Sequence, residues 1–192
     1  RSPEELGEAL TAVMAGVDRS AHMIDQLLDL ARMESVVSEA DRLRKSVDIV
    51  QVYADVLSDL GNLVSRRRLQ LDADFMEERI MAMELGILLL LRNLLGNAIR
   101  YTPEGGQIVV STRREGSAVT LIVDDSGPGI PPESRGRAFE RFDRLGLQSD
   151  EGVGLGMSIV QSVVVAHHAM IRLLESPLGG LRVQVQFPPH QA

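Results

Sequence analysis

The sequence predicts an α+β fold: a two-layer sandwich in which a mixed, mainly antiparallel sheet carries helices on one face, preceded by a long N-terminal helix. The periodic segments follow the order helix, strand, helix, strand, strand, helix, strand, strand, whereas a doubly wound sheet alternates strand and helix strictly. The β-rich runs 107–114 and 118–125 are joined by Glu115-Gly116-Ser117, which favours a hairpin. The 192 residues suffice for one core with an extension.

The first element is a helix that begins at Ser2-Pro3-Glu4-Glu5, a capping-box pattern with proline at the first helical position. Its apolar residues alternate spacings of four and three over nearly four heptads, and a seam this narrow and long favours pairing with another helix in a bundle or dimer. The alternative is one amphipathic helix lying on its own domain. The seam comprises Leu6, Leu10, Val13, Val17, Ser20, Ile24, Leu27 and Ala31.

A polar, mixed segment follows, and the remaining elements come after it. We predict a first unit at 1–36, a linker at 37–46 and a second unit at 47–190. Apolar residues recur at helical spacing between 47 and 66, and LQLDADF alternates with the period of a strand. The later elements are a helix ending in LRNLLGNAIRY, the hairpin, a short helix PESRGRAFERF, a helix over 154–168, and strands MIRLLES and LRVQVQFP.

Composition excludes several classes of function. The net charge of −7 argues against a nucleic-acid surface, and the short basic run 66–68 is expected at a solvated helix end. Without cysteine, neither a disulfide nor a thiolate metal site can form. The apolar run 87–91 is far shorter than the ~20 residues of a membrane span. Because the chain opens on Arg rather than Met, we expect a piece of a longer protein whose membrane anchor lies outside it.

Two asparagines stand on the otherwise apolar helix before the hairpin. Asn93 and Asn97 are four residues apart, so they lie on one face of that helix. Two amide oxygens on one face suit a hard cation such as Mg²⁺, which prefers oxygen ligands and keeps several waters. The alternative is a pair of ordinary exposed or capping asparagines.

An acidic residue and two glycines close the strand that follows the hairpin. In DDSGPGI, the carboxylate of Asp125 at the strand end can accept a hydrogen bond from an exocyclic amine, and Gly127 and Gly129 allow a ligand to approach the backbone closely. The same residues also fit a plain turn.

A second glycine-rich segment opens a helix. Gly152, Gly154 and Gly156 would present unpaired N–H groups and the positive end of a helix dipole, which together attract an anion. Just before it, the run FERFDR offers two arginines, and arginine binds phosphate in a bidentate fork. Each pattern alone is also compatible with an ordinary loop or a surface helix.

The order of these motifs resembles that of the sensor histidine kinases, members of the GHKL ATPase superfamily. LLRNLLGNAIRYTPEGGQI, VDDSGPGIPP, FERFDR and GVGLGMSIV are similar to the family's N, G1, F and G2 boxes, and the match covers essentially the whole chain. VDRSAHMIDQLLDLARMES resembles the second helix of the family's dimerisation and phosphotransfer hairpin. The resemblance implies a fold of the histidine-kinase/gyrase ATPase type, with a partial hairpin at 1–36 and a catalytic ATP-binding domain at 47–190.

The resemblance also assigns roles at the two ends of an ATP site. Asp125 would bind the adenine amino group, with Gly127 and Gly129 allowing the base to approach. Asn97 would be the principal Mg²⁺ ligand, assisted by Asn93.

The phosphates would lie between these ends. Arg100 and Tyr101 would sit beside the phosphates and the nucleoside, and the three glycines of the second loop would wrap the phosphates. Arg144 would reach the γ-phosphate, and residues 143–152 would form a lid that moves on nucleotide binding.

Asn93 bears on the reaction, because the hydrolysing relatives, gyrase among them, carry a glutamate at this position that activates water. A neutral amide cannot act as general base, so the γ-phosphate should await a histidine imidazole. The chain's histidines, His22, His167, His168 and His190, all lack the His-Glu/Asp-x-Arg-x-Pro context of the acceptor. The implied partners are therefore ATP, an acceptor-histidine helix of the same or a partner protomer, a response-regulator receiver domain and, in the full-length protein, a second copy.

Two departures from the family pattern stand near the C-terminus, and two alternative functions stay open. His167-His168-Ala169 replaces His-Gly-Gly, which we expect to affect a turn only. Gly180-Leu181 replaces Gly-Thr, which we expect to remove a hydroxyl near the phosphates. The alternatives are an ATP hydrolase of the superfamily and a nucleotide-responsive interaction module without transfer. The implied location is the cytoplasmic portion of an inner-membrane sensor.

Overall fold

A computed structural model of the chain describes residues 3–36, 40–77, 79–143 and 154–189. Its helices and strands form an α/β sandwich with a mixed, mainly antiparallel sheet, which confirms the predicted fold class. The helices are α1 (Pro3–Val36), α2 (Ala40–Leu43), α3 (Ile49–Arg66), α4 (Glu84–Tyr101) and α5 (Gly156–Ala166). The strands are β1 (Lys45–Asp48), β2 (Gln70–Phe75), β3 (Arg79–Ala82), β4 (Gln107–Glu115), β5 (Ala118–Asp125), β6 (Met170–Glu175) and β7 (Leu181–Phe187).

The main sheet has five strands in the order β2-β4-β5-β7-β6. Strand β2 runs parallel to β4, and the other neighbours pair antiparallel, with Ile108 of β4 opposite Asp125 of β5. Seven of the eight residues of β5 are buried, as expected of the central strand. Asp125 is thereby fixed at the end of the most protected strand of the sheet.

Helix α4 is the centre of the helical layer. Its apolar side chains at Ile87, Leu90, Leu91 and Leu95 are inaccessible to solvent, and it packs between α3 and α5. Burying four such side chains contributes roughly 1.5–3 kcal/mol each, which is ample to hold two polar asparagines on the same helix.

The sequence patterns did not predict two short strands. β1 and β3 pair antiparallel in a separate two-stranded sheet, with Val47 opposite Ile80. Part of the predicted linker is therefore regular structure, since α2 and the first two residues of β1 fall within 37–46. Four-residue strands are too short to reveal a period, and their pairing links segments more than thirty residues apart in sequence.

Two predicted helices are shorter than expected. The segment PESRGRAFERF forms two 3₁₀ turns, at Pro132–Ser134 and Arg137–Phe139, instead of one helix. Helix α5 begins at Gly156 rather than Gly154, because Gly154 has a positive φ of 76° that no helix accommodates.

Helix α1 packs on the domain by its C-terminal part. Leu30 and Met33 are buried in the common core, and the helix contacts α5. The heptad seam faces elsewhere: Val17 and Ile24 are 61% and 58% exposed. Ile24 and Met33 are nine residues apart, which places them on opposite sides of the helix at 3.6 residues per turn. The seam is therefore left available for a partner.

The basic run 66–68 is only partly solvated. Arg68 is exposed and pairs with Glu104, as expected at a helix end. Arg67 instead donates to the carbonyls of Ile99 and Arg100 at 2.6 and 2.5 Å, because those carbonyls end α4 without helical partners. Within the described ranges, every helix is too short or too polar to cross a membrane.

Candidate functional site

One cavity joins the predicted site residues. It opens to solvent and lies between α4, α5, the end of β5 and the start of β7. Of the predicted residues, it is lined by Asn97, Arg100, Tyr101, Asp125, Gly129, Gly154 and Gly156. Asn93 and Gly127 contact this set from behind, whereas Arg144 and Gly152 lie outside the described residues.

Asp125 forms one end of the cavity. Its Oδ1 accepts hydrogen bonds from the backbone N–H groups of Gly127 at 2.8 Å and Leu181 at 3.1 Å. Both donors converge on Oδ1, so Oδ2 keeps its acceptor capacity for a ligand. Burial raises the pKa of the Asp125 carboxyl above its usual value, and the two backbone N–H groups partly offset that effect. A bound amine would lower this pKa again, because it favours the charged form.

Glycines surround Asp125 because no side chain fits there. A Cβ at Gly127 would lie 2.9 Å from both Asp125 Oδ1 and the Tyr101 carbonyl oxygen. A Cβ at Gly180 would lie 2.5 Å from the backbone of both Asp125 and Gly127. Gly129 needs its φ of 69°, a conformation that favours glycine.

The structure places the Gly180-Leu181 pair against Asp125. The position of this pair near the phosphates stays a prediction; in the structure the Leu181 N–H bonds directly to the Asp125 carboxylate. The register explains this, since β7 lies next to β5 in the sheet and Asp124 is opposite Arg182.

Asn97 lines the cavity beside the start of α5, and Asn93 lies behind it on the same helix. Asn93 donates its Nδ2 to the Leu89 carbonyl at 2.8 Å, which leaves its Oδ1 as acceptor. A Cβ at Gly156 would lie 3.2 Å from Asn93 Oδ1 and 3.3 Å from Asn97 Oδ1, so both oxygens approach the same point at the start of α5. Glycine at this position allows the start of α5 to approach the two amides closely.

The donor set at this end fits magnesium. The described residues contain no cluster of three or more His, Cys, Asp or Glu side chains that could hold a metal. The Asn97 amide oxygen at the cavity, with the Asn93 oxygen beside it, suits a hard cation that retains water and takes its remaining ligands from phosphates. A metal held only by side chains would need more anionic ligands than these.

Gly154 and Phe142, which stand on either side of the segment expected to form the lid, contact each other. A Cβ at Gly154 would lie 2.9 Å from the Phe142 backbone, and the Phe142 N–H donates to the Gly154 carbonyl at 3.0 Å. Asp143 and Gly154 both line the cavity, and Asp143 is held by Arg137 at 2.7 Å. The two described residues that flank 144–153 therefore both lie at the cavity.

Sequence reasoning missed two supporting side chains. Arg67 ties down the end of α4 beside Arg100, and a basic run directly after α3 was its only signal. His167 does more than form a turn: its Nε2 accepts from the Met83 N–H at 3.0 Å, and its Nδ1 donates to the Val163 carbonyl at 2.8 Å. Burial lowers the pKa of His167, in keeping with a neutral ring.

Comparisons with known proteins identify the family of the chain. The model of the family "Histidine kinase-, DNA gyrase B-, and HSP90-like ATPase" matches residues 82–191. The chain is 33% identical over 194 aligned residues to the sensor protein kinase PmrB of Pseudomonas aeruginosa, covering 98% of this chain and 40% of PmrB. It spans less than half the length of the curated relatives it matches.

Two solved structures share the fold. The mycobacterial sensor histidine kinase MprB superposes with a TM-score of 0.66 at 26% identity, covering 78% of this chain and all of the MprB chain. Full-length ShkA in complex with AMPPNP superposes with a TM-score of 0.76 at 24% identity, covering 98% of this chain and 40% of ShkA. The chain therefore belongs to the family of histidine kinase-, DNA gyrase B- and HSP90-like ATPases, and its curated relatives are sensor kinases.

Proposed function

We propose that this chain binds Mg²⁺-ATP and transfers the γ-phosphate to a histidine on a dimerisation helix outside these 192 residues, as part of two-component signal transduction. One observation carries the proposal: the amide oxygens of Asn93 and Asn97 both approach the start of α5, and Asn97 lines the same cavity as the Asp125 carboxylate. An adenine amine at Asp125 and a phosphate-bound cation at the asparagines match these two ends.

Asn93 favours transfer over hydrolysis. Its amide nitrogen is engaged by the Leu89 carbonyl, and an amide oxygen has no basicity with which to deprotonate water. The γ-phosphorus would therefore lose its bond to the bridging oxygen of ADP only when an imidazole nitrogen forms a bond to phosphorus. The imidazole gives up its proton in the process, and magnesium would neutralise charge on the phosphate oxygens.

The remaining assignments rest on the resemblance to the family. Arg100 and Tyr101 would contact the phosphates and the nucleoside, and both line the cavity. Gly152, Gly154 and Gly156 would wrap the phosphates, and Arg144 would reach the γ-phosphate from the lid 143–152.

The proposed partners follow from α1 and from the relatives' names. The exposed apolar seam of α1 supports a homodimer of the full-length protein, with 1–36 as part of the dimerisation hairpin, 37–46 as its connection and 47–190 as the catalytic domain. A response-regulator receiver domain would take the phosphoryl group next. The full-length protein would be an inner-membrane sensor with this portion in the cytoplasm.

The test is phosphotransfer from radiolabelled ATP to a supplied acceptor-helix hairpin. We expect the wild-type chain to form an acid-labile phosphoamide and Asn97→Ala to reduce the rate about 100-fold or more, because an oxygen that positions the charged phosphates is removed. Asn62→Ala on the exposed face of α3 is the matched control and should transfer normally. Unchanged transfer by Asn97→Ala would refute the role of Asn97.

The same assay separates the alternatives. Arg144→Ala should also lose transfer, with Arg172→Ala on exposed β6 as its control. Steady ATP hydrolysis without an acceptor, faster than transfer, would favour a hydrolase. If the chain bound an ATP analogue but catalysed neither transfer nor hydrolysis, the result would favour an interaction module.

A further inference from the structure

His167 joins the start of α4 to the last turn of α5. Its Nε2 accepts the N–H of Met83, the N-cap residue of α4, at 3.0 Å, and its Nδ1 donates to the Val163 carbonyl at 2.8 Å. The first N–H groups of a helix need acceptors from outside it, and methionine is a poor N-cap. The imidazole therefore supplies from α5 the acceptor that the start of α4 lacks.

The imidazole fits in this place because residue 86 is glycine. A Cβ at Gly86, in the first turn of α4, would collide with His167 Cε1 and lie 3.2 Å from Nε2. The ring cannot swing aside without breaking its two hydrogen bonds, and it also packs edge-on against Phe187, with ring centroids 5.7 Å apart. Because His167 is only 1% exposed, it has no solvent space to enter. We call this contact the Gly86–His167 interlock.

The same two helices meet a second time beside the candidate site. Asn97 lies eleven residues after Gly86, and Gly156 lies eleven residues before His167, so both steps span about 16 Å of helix. Equal steps in opposite chain directions mean that α4 and α5 pack antiparallel and touch at both ends. At the second contact, a Cβ at Gly156 would lie 3.2 Å from Asn93 Oδ1 and 3.3 Å from Asn97 Oδ1.

The two contacts share one variable, the axial offset between α4 and α5. An α-helix is stiff along its axis, because every turn is hydrogen-bonded to the next. A displacement of α4 at Gly86 is therefore passed on to Asn97 on the same helix. Site geometry is sensitive to such displacements, since a misplacement of about 1 Å can cost about 100-fold in rate.

We propose that His167 is a positioning residue of the nucleotide site, because its interlock with Gly86 sets the axial offset between α4 and α5. That offset fixes how the amide oxygens of Asn93 and Asn97 stand relative to the N-terminus of α5, where the phosphates would bind. The inference rests on the proposed function, since it presupposes Mg²⁺-ATP at this place. Asp125 lies on β5 and does not depend on the offset, so a disturbed interlock should affect the metal-dependent part of binding.

The first test compares Gly86→Ala with Gly96→Ala, the same change on the same helix at a position where a Cβ meets nothing within 4 Å. Calorimetry with AMPPNP gives the affinity in excess Mg²⁺ and in EDTA, and the ratio of the two is the magnesium gain. Gly86→Ala should reduce this gain roughly 3- to 10-fold, the equivalent of about one hydrogen bond. It should also slow transfer to the acceptor-helix hairpin about 10- to 100-fold. Gly96→Ala should match wild type in both quantities.

The decisive comparison repeats Gly86→Ala in a His167→Ala background. Without the imidazole, the new methyl group enters vacated space, so Gly86→Ala should have no further effect on the magnesium gain or on transfer. An equal loss in both backgrounds would overturn the inference, because the effect would not pass through His167. Variants that lose stability but keep the wild-type magnesium gain and transfer rate would also overturn it and leave His167 a purely structural residue.

A conservative pair at His167 tests the same inference without the added methyl group. Glutamine can place an acceptor near the position of Nε2, whereas asparagine is too short to reach the Met83 N–H. His167→Gln should therefore keep more of the magnesium gain than His167→Asn. If Gly86→Ala does not fold, this pair decides, and equal gains in the two variants would overturn the inference. Failure of the wild-type chain to bind Mg²⁺-AMPPNP would refute the proposed function, and the inference with it.

Discussion

Gly180 offers a sharp test of how β7 shapes the Asp125 end of the cavity. In Gly180→Ala, the new Cβ would lie 2.5 Å from the Asp125 carbonyl oxygen and from the Gly127 nitrogen. Relief to an ordinary contact distance requires the strand to withdraw by about 1 Å. That movement breaks the 3.1 Å bond from the Leu181 N–H to Asp125 Oδ1. Overpacking costs about 1–3 kcal/mol and the lost bond to a carboxylate about 1.5–3 kcal/mol.

We therefore expect Gly180→Ala to lower the free energy of unfolding by about 2.5–6 kcal/mol and to weaken AMPPNP binding in the same samples. Urea titration followed by circular dichroism measures the first quantity, and calorimetry measures the second. Gly136→Ala is the control, because a Cβ there meets nothing within 4 Å, and it should change stability by less than about 1 kcal/mol. A Gly180→Ala protein as stable as wild type, with unchanged affinity, would refute this account of the site.

Two further predictions concern the side chains that support the site. Burial lowers the pKa of His167, so the unfolded chain binds a proton at this residue more readily than the folded chain does. The free energy of unfolding should therefore be at its full value above pH 6.5 and fall by up to about 1.4 kcal/mol per pH unit below it. Urea titrations from pH 5 to 8 should show this slope in His168→Asn and not in His167→Asn. Arg67→Ala should destabilise the domain by about 1–3 kcal/mol and weaken AMPPNP binding, because the last carbonyls of α4 lose their donor. Arg66→Ala, on the exposed end of α3, should leave both quantities unchanged.

The larger elements could be predicted because each carries its own period. The hairpin of β4 and β5 follows from two β-rich runs around Glu115-Gly116-Ser117, and the core side of α4 follows from its apolar residues. β1 and β3 could not be predicted, because each forms a strand only through its pairing with the other. The parallel pairing of β2 with β4 is equally a property of the tertiary fold, because the helix α4 intervenes between them.

The residues of the candidate site likewise fall into those that the sequence predicts and those that it does not. Asn93, Asn97 and Asp125 were predictable because a polar side chain on an apolar helix or at a strand end stands out in sequence. The contributions of Arg67, His167 and Gly180 arise from contacts across the fold, and nothing near them in sequence names their partners. The glycines illustrate this difference. A glycine in the sequence indicates that some group approaches the backbone closely, but only the structure shows that the group beside Gly180 is Asp125.

Helix α1 packs on the catalytic unit with one face and exposes its apolar seam on the opposite face. Leu30, Met33 and Gln26 face the catalytic unit, whereas Val17 and Ile24 on the opposite side stay exposed. A second helix can therefore pack on the seam without displacing the domain, so dimerisation and docking do not compete for the same surface.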